Sequence, residues 1–574
     1  MSDPDNNRDS ESGLRKRRTV FPWLVLLSVI ALLAGLFLFD DFLAETFNLD
    51  PAVKHLASFL LPMLAMVSIG LWYLLRNARS FNLKTVLALL AILLPVGFLV
   101  LLQPVFGGNA NLRGFEPRFW GIDAEVVERE SGEGKSLLTE TEFDFPQFLG
   151  PNRNGIIGNV KLAAWKDAQP ELLWPRQKVG DAWSGFAVVN GFAITQEQRG
   201  KLECVVCYEI ETGNTVWTYS VERRHEDYVG FGRVGPRATP TVHQGNVYTI
   251  GATGILDCLD GENGELKWSY DIAAKCGIDH TLQTNSQGFE FTEETSSLAW
   301  GRSQSPLIVD DLVIVAGGGI AEGEEVEASE TEDAGVPDRR VTSDGATLIA
   351  INKSSGEEVW RGGKRPVAYG SPIVATVAGV KQVLLVAEDH CVGHDVGTGE
   401  ELWAFAWDGQ SDGAANCSQV TVVDDQHLLI TKGYSQGAQV LKLEREDPGA
   451  IRVIAEKRDP RVLKTKFSNP VIRDGYAYAV SDRFLECVEV MTLKKKWRRR
   501  GFESGQLLLV GDKLLVHSED GELFLVAAVP DEYRELGSIK TVSGTCWNTL
   551  TLSKDLVLVR SEEEVACFRL PLEE

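Results

Sequence analysis

The sequence predicts an all-β, eight-bladed β-propeller preceded by three N-terminal transmembrane α-helices. Three observations predict it: three long apolar runs near the N-terminus, a tryptophan-bearing frame that recurs at fixed spacing, and eight copies of a pair of short apolar strands. Each repeat has the composition of four short antiparallel strands, which leave both sheet faces uncovered. Such sheets become stable when they stack into a closed ring.

The three apolar runs comprise residues 20–39, 56–75 and 85–106, and none of them contains a charged residue. About 20 apolar residues in a helix cross a hydrocarbon core of about 30 Å. Trp23, Trp72 and Tyr73 lie near the ends of the runs, where interfacial aromatic residues are common. A cleaved signal peptide is the alternative for the first run, but its length and the two later runs favour a membrane helix.

The charges of the short loops predict the orientation. Four basic residues occupy positions 15–18, and Arg76, Arg79 and Lys84 lie between the second and third runs. The intervening loop is acidic. The positive-inside rule therefore places residues 1–19 in the cytoplasm as a tail, and places everything after Phe106 outside it. The expected location is the inner (cytoplasmic) membrane of a cell with a periplasm, with a multi-pass anchor.

Composition excludes two classes of protein. The formal net charge of −24 argues against nucleic-acid binding, which needs clustered Lys and Arg. The nine cysteines are an odd number and are scattered, so they do not form a disulfide framework. Residues 107–143 are rich in Gly, Glu and Arg without a sustained period, and we interpret them as a linker to a propeller over 144–574.

The repeated frame reads: small residue, any residue, acidic or amide residue, three residues, Gly, three residues, Trp. Its five copies start at Cys207, Cys258, Ala350, Gly393 and Cys487 and end at Trp217, Trp268, Trp360, Trp403 and Trp497. Leu493 replaces the glycine in the fifth copy. The stretch DGENGE at 260–265 is therefore interpreted as a turn of this frame and not as a calcium loop.

The tryptophan is expected to be a large, flat apolar side chain that packs at each outer strand, and the small residue leaves room for it. The last repeat lacks its own tryptophan. Leu172, Leu173 and Trp174 precede the first complete repeat and could supply its outer strand, closing the ring with strands from both ends. The second recurring piece is a pair of apolar strands that begins with Thr-Pro or Ser-Pro at residues 239, 305 and 371, with Asn-Pro at 469, and in looser copies at 184, 418, 504 and 547.

These residues resemble the tryptophan-docking motif of the pyrroloquinoline-quinone (PQQ) propeller superfamily over about residues 144 to 572. That superfamily contains quinoprotein dehydrogenases and the propeller lipoprotein of the outer-membrane β-barrel assembly machinery. The stretches DFPQFLGPNRNG (144–155), LLW (172–174) and GPRATP (235–240) are also similar to bacterial membrane-anchored PQQ-like repeat proteins. The resemblance implies the fold, which hosts both enzymes and scaffolds.

Several chemical motifs have simpler structural interpretations. Cys204 and Cys207 lie three residues apart in a predicted strand, so their thiols face opposite sides and do not form a redox or zinc pair. His390 and His394 in a strand are too far apart for one zinc ion. The GYSQG at 433–437 is followed by a strand and not by the helix of a nucleophile elbow. Residues 321–338 are interpreted as a solvated acidic insertion.

The loop at 222–240 concentrates arginines between two blades of an acidic domain, and ordered ion pairs are its simplest interpretation. The sharper hypothesis is a ligand or partner site at one mouth of the channel, where the residues that precede the blades converge. The expected residues are Trp183, Arg233, Arg237, Arg302, Tyr369, Asn416, Lys466 and Trp547. No catalytic residue and no metal ligand is predicted.

Three hypotheses for the function remain. The favoured one is a membrane-tethered propeller that binds or scaffolds envelope proteins, or an unknown small ligand, without a cofactor. The alternative is a membrane-bound quinoprotein dehydrogenase that oxidises sugars or alcohols with PQQ and calcium. The resemblance to membrane-bound glucose dehydrogenase in the N-terminal helices supports this alternative. The adjacent cysteine pair of alcohol-oxidising relatives is missing, and no base or calcium ligand can be placed by motif. A sensor that relays occupancy through the helices is a third hypothesis.

Overall fold

A computed structural model gives the structure of the chain in two compact units, Met1–Gly121 and Ile122–Glu574. The residues that it describes are 20–47, 50–76, 83–108, 110, 112–117, 137, 140–166, 168–227, 232–278, 280–284, 288–294, 298–318, 345–409, 414–446 and 449–573. The expected cytoplasmic tail, most of the linker and the acidic insertion at 321–338 lie outside the described residues.

The first unit contains four helices among its described residues: α1 (Phe21–Leu38), α2 (Asp40–Thr46), α3 (Pro51–Arg76) and α4 (Leu83–Leu101). Helices α1, α3 and α4 are long and apolar enough to cross a membrane. The expected acidic loop between the first two spans contains α2, and Asp40 accepts a hydrogen bond from the Lys54 ammonium at 2.8 Å.

The third apolar run does not continue as helix to Phe106. Helix α4 ends at Leu101, and strands β1 (Leu102–Phe106) and β2 (Leu112–Pro117) then form an antiparallel hairpin. Pro104 explains the end of the helix, because proline has no N–H to donate and disfavours helical geometry in the residue before it. Strand β2 also lies in the segment that was expected to be an irregular linker.

The second unit is a ring of eight blades. Strands β3 (Ile156–Ile157), β4 (Glu171–Leu172) and β5 (Gln177–Lys178) precede them. The first four blades are, in order: β6 (Ala187–Val189), β7 (Phe192–Arg199), β8 (Leu202–Glu209) and β9 (Thr215–Glu222); β10 (Thr241–His243), β11 (Asn246–Ile250), β12 (Ile255–Asp260) and β13 (Leu266–Asp271); β16 (Leu307–Val309), β17 (Leu312–Gly318), β18 (Ala346–Asn352) and β19 (Glu358–Gly362); β20 (Ile373–Val377), β21 (Val380–Val386), β22 (His390–Asp395) and β23 (Glu401–Ala406).

The last four blades are: β24 (Thr421–Val422), β25 (His427–Lys432), β26 (Gly437–Arg445) and β27 (Ile451–Asp459); β28 (Val471–Arg473), β29 (Tyr476–Ser481), β30 (Phe484–Glu489) and β31 (Lys494–Arg500); β32 (Gln506–Val510), β33 (Lys513–His517), β34 (Glu522–Ala527) and β35 (Glu535–Lys540); β36 (Thr551–Ser553), β37 (Leu556–Arg560) and β38 (Glu564–Arg569). Helix α5 (Ile272–Lys275) and a hairpin of β14 (His280–Thr284) and β15 (Glu290–Glu294) are an insertion between blades two and three that the sequence pattern did not predict.

Blade eight confirms the expected closure of the ring. Its fourth strand comes from the N-terminal side: Leu172 pairs with Phe568, and the Leu173 N–H donates to Cys567 O at 3.0 Å. Strand β5 pairs with the other end of β38. The exposed edge that blade eight would otherwise present is therefore covered.

The tryptophans dock between blades. In all five copies of the frame, the small residue lies directly opposite the tryptophan of the same blade, as in the pair Cys258 and Trp268. The frame glycine instead contacts the tryptophan of the preceding blade: Trp174 lies on Gly213, Trp217 on Gly264, Trp268 on Gly356 and Trp360 on Gly399. Each of these indole N–H groups donates to a carbonyl oxygen of the next blade's turn, as Trp174 does to Ile210 O at 2.9 Å.

Blade five interrupts this series, because its outer strand has no tryptophan. The next blade correspondingly has Leu493 where the others have glycine, and this leucine is buried. Trp403 of blade four faces a blade without a frame, and its indole N–H donates to Gln382 of its own blade at 2.6 Å. The loss of the glycine therefore coincides with the loss of the tryptophan that would contact it.

The Ser-Pro and Thr-Pro motifs connect neighbouring inner strands. The Thr239 N–H donates to Ser305 Oγ at 3.0 Å, and the Ser305 N–H donates to Ser371 Oγ at 3.0 Å. The Gln419 N–H donates to Asn469 Oδ1 at 2.8 Å in the same way. Side-chain oxygens close to the axis thus satisfy backbone donors that no strand can pair.

A short axial segment, residues 144–157, crosses one end of the channel. Phe145 pairs with Val188 of blade one, and strand β3 runs parallel to β32 of blade seven. Between them, the buried Arg153 guanidinium donates to three carbonyl oxygens of blades three and four: Ser305 O at 2.5 Å, Pro306 O at 2.9 Å and Pro372 O at 2.9 Å. Burial lowers the pKa of Arg153. Since these inner strands surround the axis, the segment closes the channel at this end.

The tryptophan contact predicts that Gly356→Ala destabilises the ring more than Gly379→Ala. Both glycines have a φ of +74°, so both substitutions place a side chain in a left-handed conformation. A Cβ at Gly356 would lie 2.7 Å from the Trp268 ring, whereas nothing lies within 4 Å at Gly379. We expect Gly379→Ala to cost about 1 kcal/mol and Gly356→Ala about 1–3 kcal/mol more. Urea unfolding followed by tryptophan fluorescence measures the difference, and equal losses would contradict docking between blades.

Candidate functional site

The open end of the channel is bordered by one residue from each inter-blade connection. In the units with proline, this residue lies three positions before it: Arg237, Ser303, Tyr369 and Phe467. The pairing of the first two strands of each blade extends this register to the units without proline, since Leu508↔Leu515 of blade seven is equivalent to Thr241↔Tyr248 of blade two. By this register, we define the channel rim as Trp183, Arg237, Ser303, Tyr369, Cys417, Phe467, Ser504 and Trp547.

Three expected site residues lie one position before the rim. Arg302, Asn416 and Lys466 are all buried. The Arg302 guanidinium donates to Gly317 O at 2.6 Å, and the Asn416 amide donates to Glu388 O at 3.0 Å. The Lys466 ammonium lies 5.0 Å from the centre of the Tyr434 ring. A shift of one residue turns an extended side chain to the other face, which explains their burial.

An aromatic row forms one side of the rim. The Trp183 and Trp547 rings lie 4.5 Å apart at 30°, and the Trp547 and Phe467 rings lie 4.8 Å apart at 43°. Trp183 is buried, whereas Trp547 and Phe467 are partly exposed. The Trp547 indole nitrogen is itself enclosed and has no hydrogen-bond partner among the described residues. The row therefore presents ring faces and edges to the channel mouth.

The loop after blade one is fixed by its arginines. The Arg237 guanidinium donates to Gly232 O at 2.6 Å and to Arg233 O at 3.1 Å. The Trp183 indole N–H donates to the same Gly232 oxygen at 2.8 Å. Arg233 forms an ion pair with Glu562 of blade eight at 3.1 Å. Burial lowers the pKa of Arg237 to about 10, with Asp227 opposing the shift. The described residues of this loop therefore contain ion pairs, as the simpler interpretation of the sequence expected.

A second aromatic pair continues the rim. The rings of Tyr369 and Trp300 stack at 5.5 Å and 19°, and the Trp300 N–H donates to the Tyr369 hydroxyl at 3.2 Å. Gly232 connects this pair to the arginine loop, since a Cβ there would lie 3.1 Å from the Trp300 Cβ. Trp183, Arg233, Arg237, Tyr369 and Trp547 are thus assembled around one part of the mouth.

Glu203 is a buried carboxylate close to this region. One of its oxygens accepts the Ala252 N–H of blade two at 3.1 Å. Burial raises the pKa of Glu203 to about 7, although Arg223 and the Ala252 N–H oppose the shift. Since a carboxyl group is ordinarily deprotonated at pH 7, Glu203 is the acidic group near the rim whose charge changes in the neutral range.

The other motifs are parts of strands and turns of the blades. Cys204 and Cys207 belong to different core clusters on opposite faces of β8. His390 and His394 lie in strand β22, and the GYSQG stretch turns directly into strand β26. Within the described part of the chain, no group of three or more His, Cys, Asp or Glu side chains could hold a metal ion.

A cleft of about 780 Å³ lies at the other end of the channel, beside the axial segment. Its charged lining residues are mostly acidic and include Glu140, Glu142, Asp310 and Asp311, with Lys353 as a cation. Asp311 and Lys353 form an ion pair at 3.3 Å. This cleft is distinct from the rim, and none of the expected site residues borders it.

The repeated blades, the docking tryptophans and the ring closed from both termini define a PQQ-like β-propeller. A family model described as "Outer membrane protein assembly factor BamB" matches residues 162–336 and 324–528, which together exceed half of the chain. The chain belongs to this family. No curated protein matches it.

The chain is also similar to several solved structures at low identity. BamB from Moraxella catarrhalis is 16% identical with a TM-score of 0.46, and the match covers 70% of this chain and 100% of that one. Quinohemoprotein alcohol dehydrogenase ADHIIG from Pseudomonas putida HK5 is 13% identical with a TM-score of 0.42, over 76% and 81% of the two chains. A europium-containing methanol dehydrogenase is 11% identical with a TM-score of 0.43, over 76% and 99%. Similarity at this level carries no argument about activity.

Sequence reasoning missed Phe467, Trp300 and Glu203. Phe467 could have been found, because it precedes Pro470 by the same three residues that separate Arg237 from Pro240. Trp300 is outside that register and reaches the rim from the insertion between blades two and three. Glu203 carries no motif, and its raised pKa depends on burial between two blades.

We expect Glu203→Gln to flatten the pH dependence of stability. The folded-state pKa of about 7 lies above the ordinary value of 4.5, so folding is favoured most below pH 4.5 and stability declines as the pH rises towards 7. Glutamine removes the buried charge and should stabilise the protein by about 2–3 kcal/mol at pH 8 relative to the parent. Urea unfolding between pH 4 and 8 measures the slope. The exposed Glu265→Gln is the control, and an unchanged slope in Glu203→Gln would contradict the assignment.

Proposed function

We propose that this chain is a membrane-tethered, extracytoplasmic propeller that binds and scaffolds protein partners of the cell envelope through its channel rim. The observation that carries the proposal is the aromatic row of Trp183, Trp547 and Phe467. Two of these rings are partly exposed at the channel mouth. Partly exposed aromatic side chains held in one geometry are frequent anchors of protein interfaces.

Family membership supports the same function. The family description names an assembly factor of outer-membrane proteins, and an assembly factor acts by contact with other proteins. The rim polar groups support a binding role as well. The Arg237 guanidinium donates to main-chain oxygens of the loop and so holds the loop backbone beside the aromatic row.

The tether is supported by the three apolar helices and by the charges of their loops. We propose that α1, α3 and α4 cross the inner membrane and that the propeller lies outside the cytoplasm. A reporter that is active only outside the cytoplasm, fused after residue 110, should give a strong signal. A cytoplasmic reporter fused at the same position is the control, and activity of that control would contradict the orientation.

The rim is tested by photo-crosslinking in the full chain. A photoreactive phenylalanine analogue at Phe467 should give discrete adducts with envelope proteins, and Trp547→Ala should reduce their yield about tenfold or more. Leu266 is the control position. It is exposed and is the first residue of the outer strand of blade two, directly after the turn between the third and fourth strands and at the end of the blade opposite the rim.

The interpretation requires that the melting temperature of Trp547→Ala remain close to that of the parent. Equal adducts from the Leu266 position, or adducts that persist undiminished in folded Trp547→Ala, would contradict partner binding at the rim. Adducts with the same protein after mild cross-linking of the unmodified chain would identify the partner.

The dehydrogenase alternative is tested against the rim residues. A PQQ site of this superfamily would need a calcium held by carboxylate and amide oxygens, with cations on the cofactor. The Arg237 and Arg302 guanidinium groups donate to main-chain oxygens, and we derive no step through the cofactor. Stoichiometric PQQ absorbance with calcium, together with dye reduction by sugars or alcohols, would overturn the scaffold proposal.

A further inference from the structure

The outer strand of blade six is unlike every other outer strand. Strand β31 reads KKKWRRR, so six of its seven residues are cations in a chain with a net charge of −24. The four other outer strands that end a tryptophan frame, β9, β13, β19 and β23, contain at most one cation each. Docking of Trp497 therefore does not require these charges.

Neighbouring residues extend this surface. The Lys495 ammonium lies 3.5 Å from Arg461 O, which connects β31 to the end of blade five. Lys457 and Arg458 of β27 and Arg461 are exposed. On the other side, the Arg499 guanidinium lies 5.6 Å from the Tyr533 ring of blade seven. We define the basic edge as residues 494–500 together with Lys457, Arg458 and Arg461.

The basic edge also presents backbone. Strand β31 pairs with β30 on one side, and no strand in the described part of the chain pairs with its other side. A strand edge of this kind offers N–H and C=O groups to an added strand. The chain uses such addition twice within its own fold, where Leu172 joins blade eight and residues 156–157 join the inner strand of blade seven.

The spacing of the charges distinguishes between two kinds of anionic partner. Side chains alternate between the two faces of a strand, so consecutive cations lie on both faces. A flat anionic membrane would contact only one face of the strand, so cations at every second position would be sufficient to bind it. An added strand has side chains on both faces, and acidic residues there would meet cations on both.

We propose that the basic edge binds an extended acidic segment of a protein partner as an additional strand of blade six. Main-chain hydrogen bonds would give the register, and carboxylates would pair with Lys494, Lys496 and Arg499. The surface is separate from the channel rim, and the proposal does not rest on the function of the rim. The same cations also prevent two copies of this edge from pairing with each other.

The test uses the full chain in zwitterionic detergent and a fluorescein-labelled peptide of three Glu-Glu-Val repeats followed by Glu. Fluorescence anisotropy should show saturable binding that weakens with salt. A triple variant that combines Lys494→Glu, Lys496→Glu and Arg499→Glu should bind the peptide at least tenfold more weakly. The same peptide with alternate N-methylated amides should also bind at least tenfold more weakly, because it keeps the charges and loses the backbone donors.

The matched control is Lys166→Glu, Lys178→Glu and Lys201→Glu, three exposed lysines outside the basic edge that give the same change in net charge. It should change the affinity by no more than about twofold. Equal binding by the charge-reversed variant, or equal binding of the N-methylated peptide, would overturn the proposal. Binding to vesicles of anionic phospholipid without binding to the peptide would assign the surface to lipid. If the charge-reversed variant aggregates and the parent does not bind the peptide, the proposal is wrong and the charges of the basic edge only prevent self-association.

Discussion

The second unit depends on one repeated interaction, the contact of an outer-strand tryptophan with the turn of the following blade, which Trp174, Trp217, Trp268 and Trp360 make. A four-stranded blade buries neither of its faces by itself, so its stability comes from its neighbours. The indole covers the turn of the next blade, and its N–H donates to a carbonyl oxygen of that turn, as Trp217 does to Gly261 O at 3.0 Å. A glycine is needed at the contact because a Cβ at Gly264 would lie 2.5 Å from the ring. The position of the tryptophan, the backbone conformation of the glycine and the hydrogen bond of the indole N–H therefore depend on one another.

This constraint explains why the fold was largely predictable. The spacing from Cys258 to Trp268 repeats in five blades, and repetition makes a weak local signal strong. The closure by residues 171–174 could also be predicted, because one outer strand was missing and a suitable apolar stretch was available. The spacing did not indicate which tryptophan each glycine contacts. The frame is continuous in sequence, yet its glycine contacts the tryptophan of the blade before it.

The site was less predictable for a related reason. The rim depends on a register of single residues, and a shift by one position exchanges an exposed side chain for a buried one. Arg302, Asn416 and Lys466 attracted notice by their chemistry, yet their neighbours Ser303, Cys417 and Phe467 border the channel. Trp300 reaches the rim from an insertion with no repeat to align. The apolar composition alone placed the end of the third helix too late, because apolar residues also occur in strand β1. Pro104 ends the helix, since proline cannot donate a helical hydrogen bond.

The closure of blade eight has a consequence for biosynthesis. Leu172 and its partner Phe568 are separated by about 400 residues, so the N-terminal strand is made long before the strand that it joins. At a synthesis rate of about 5–20 residues per second, this interval is on the order of 20–80 seconds. During that time the ring is open at both ends, and β38 has not yet covered residues 171–178. A nascent chain of this kind would depend on chaperones until its last blade emerged, and premature termination near the C-terminus would leave two strand edges exposed at once.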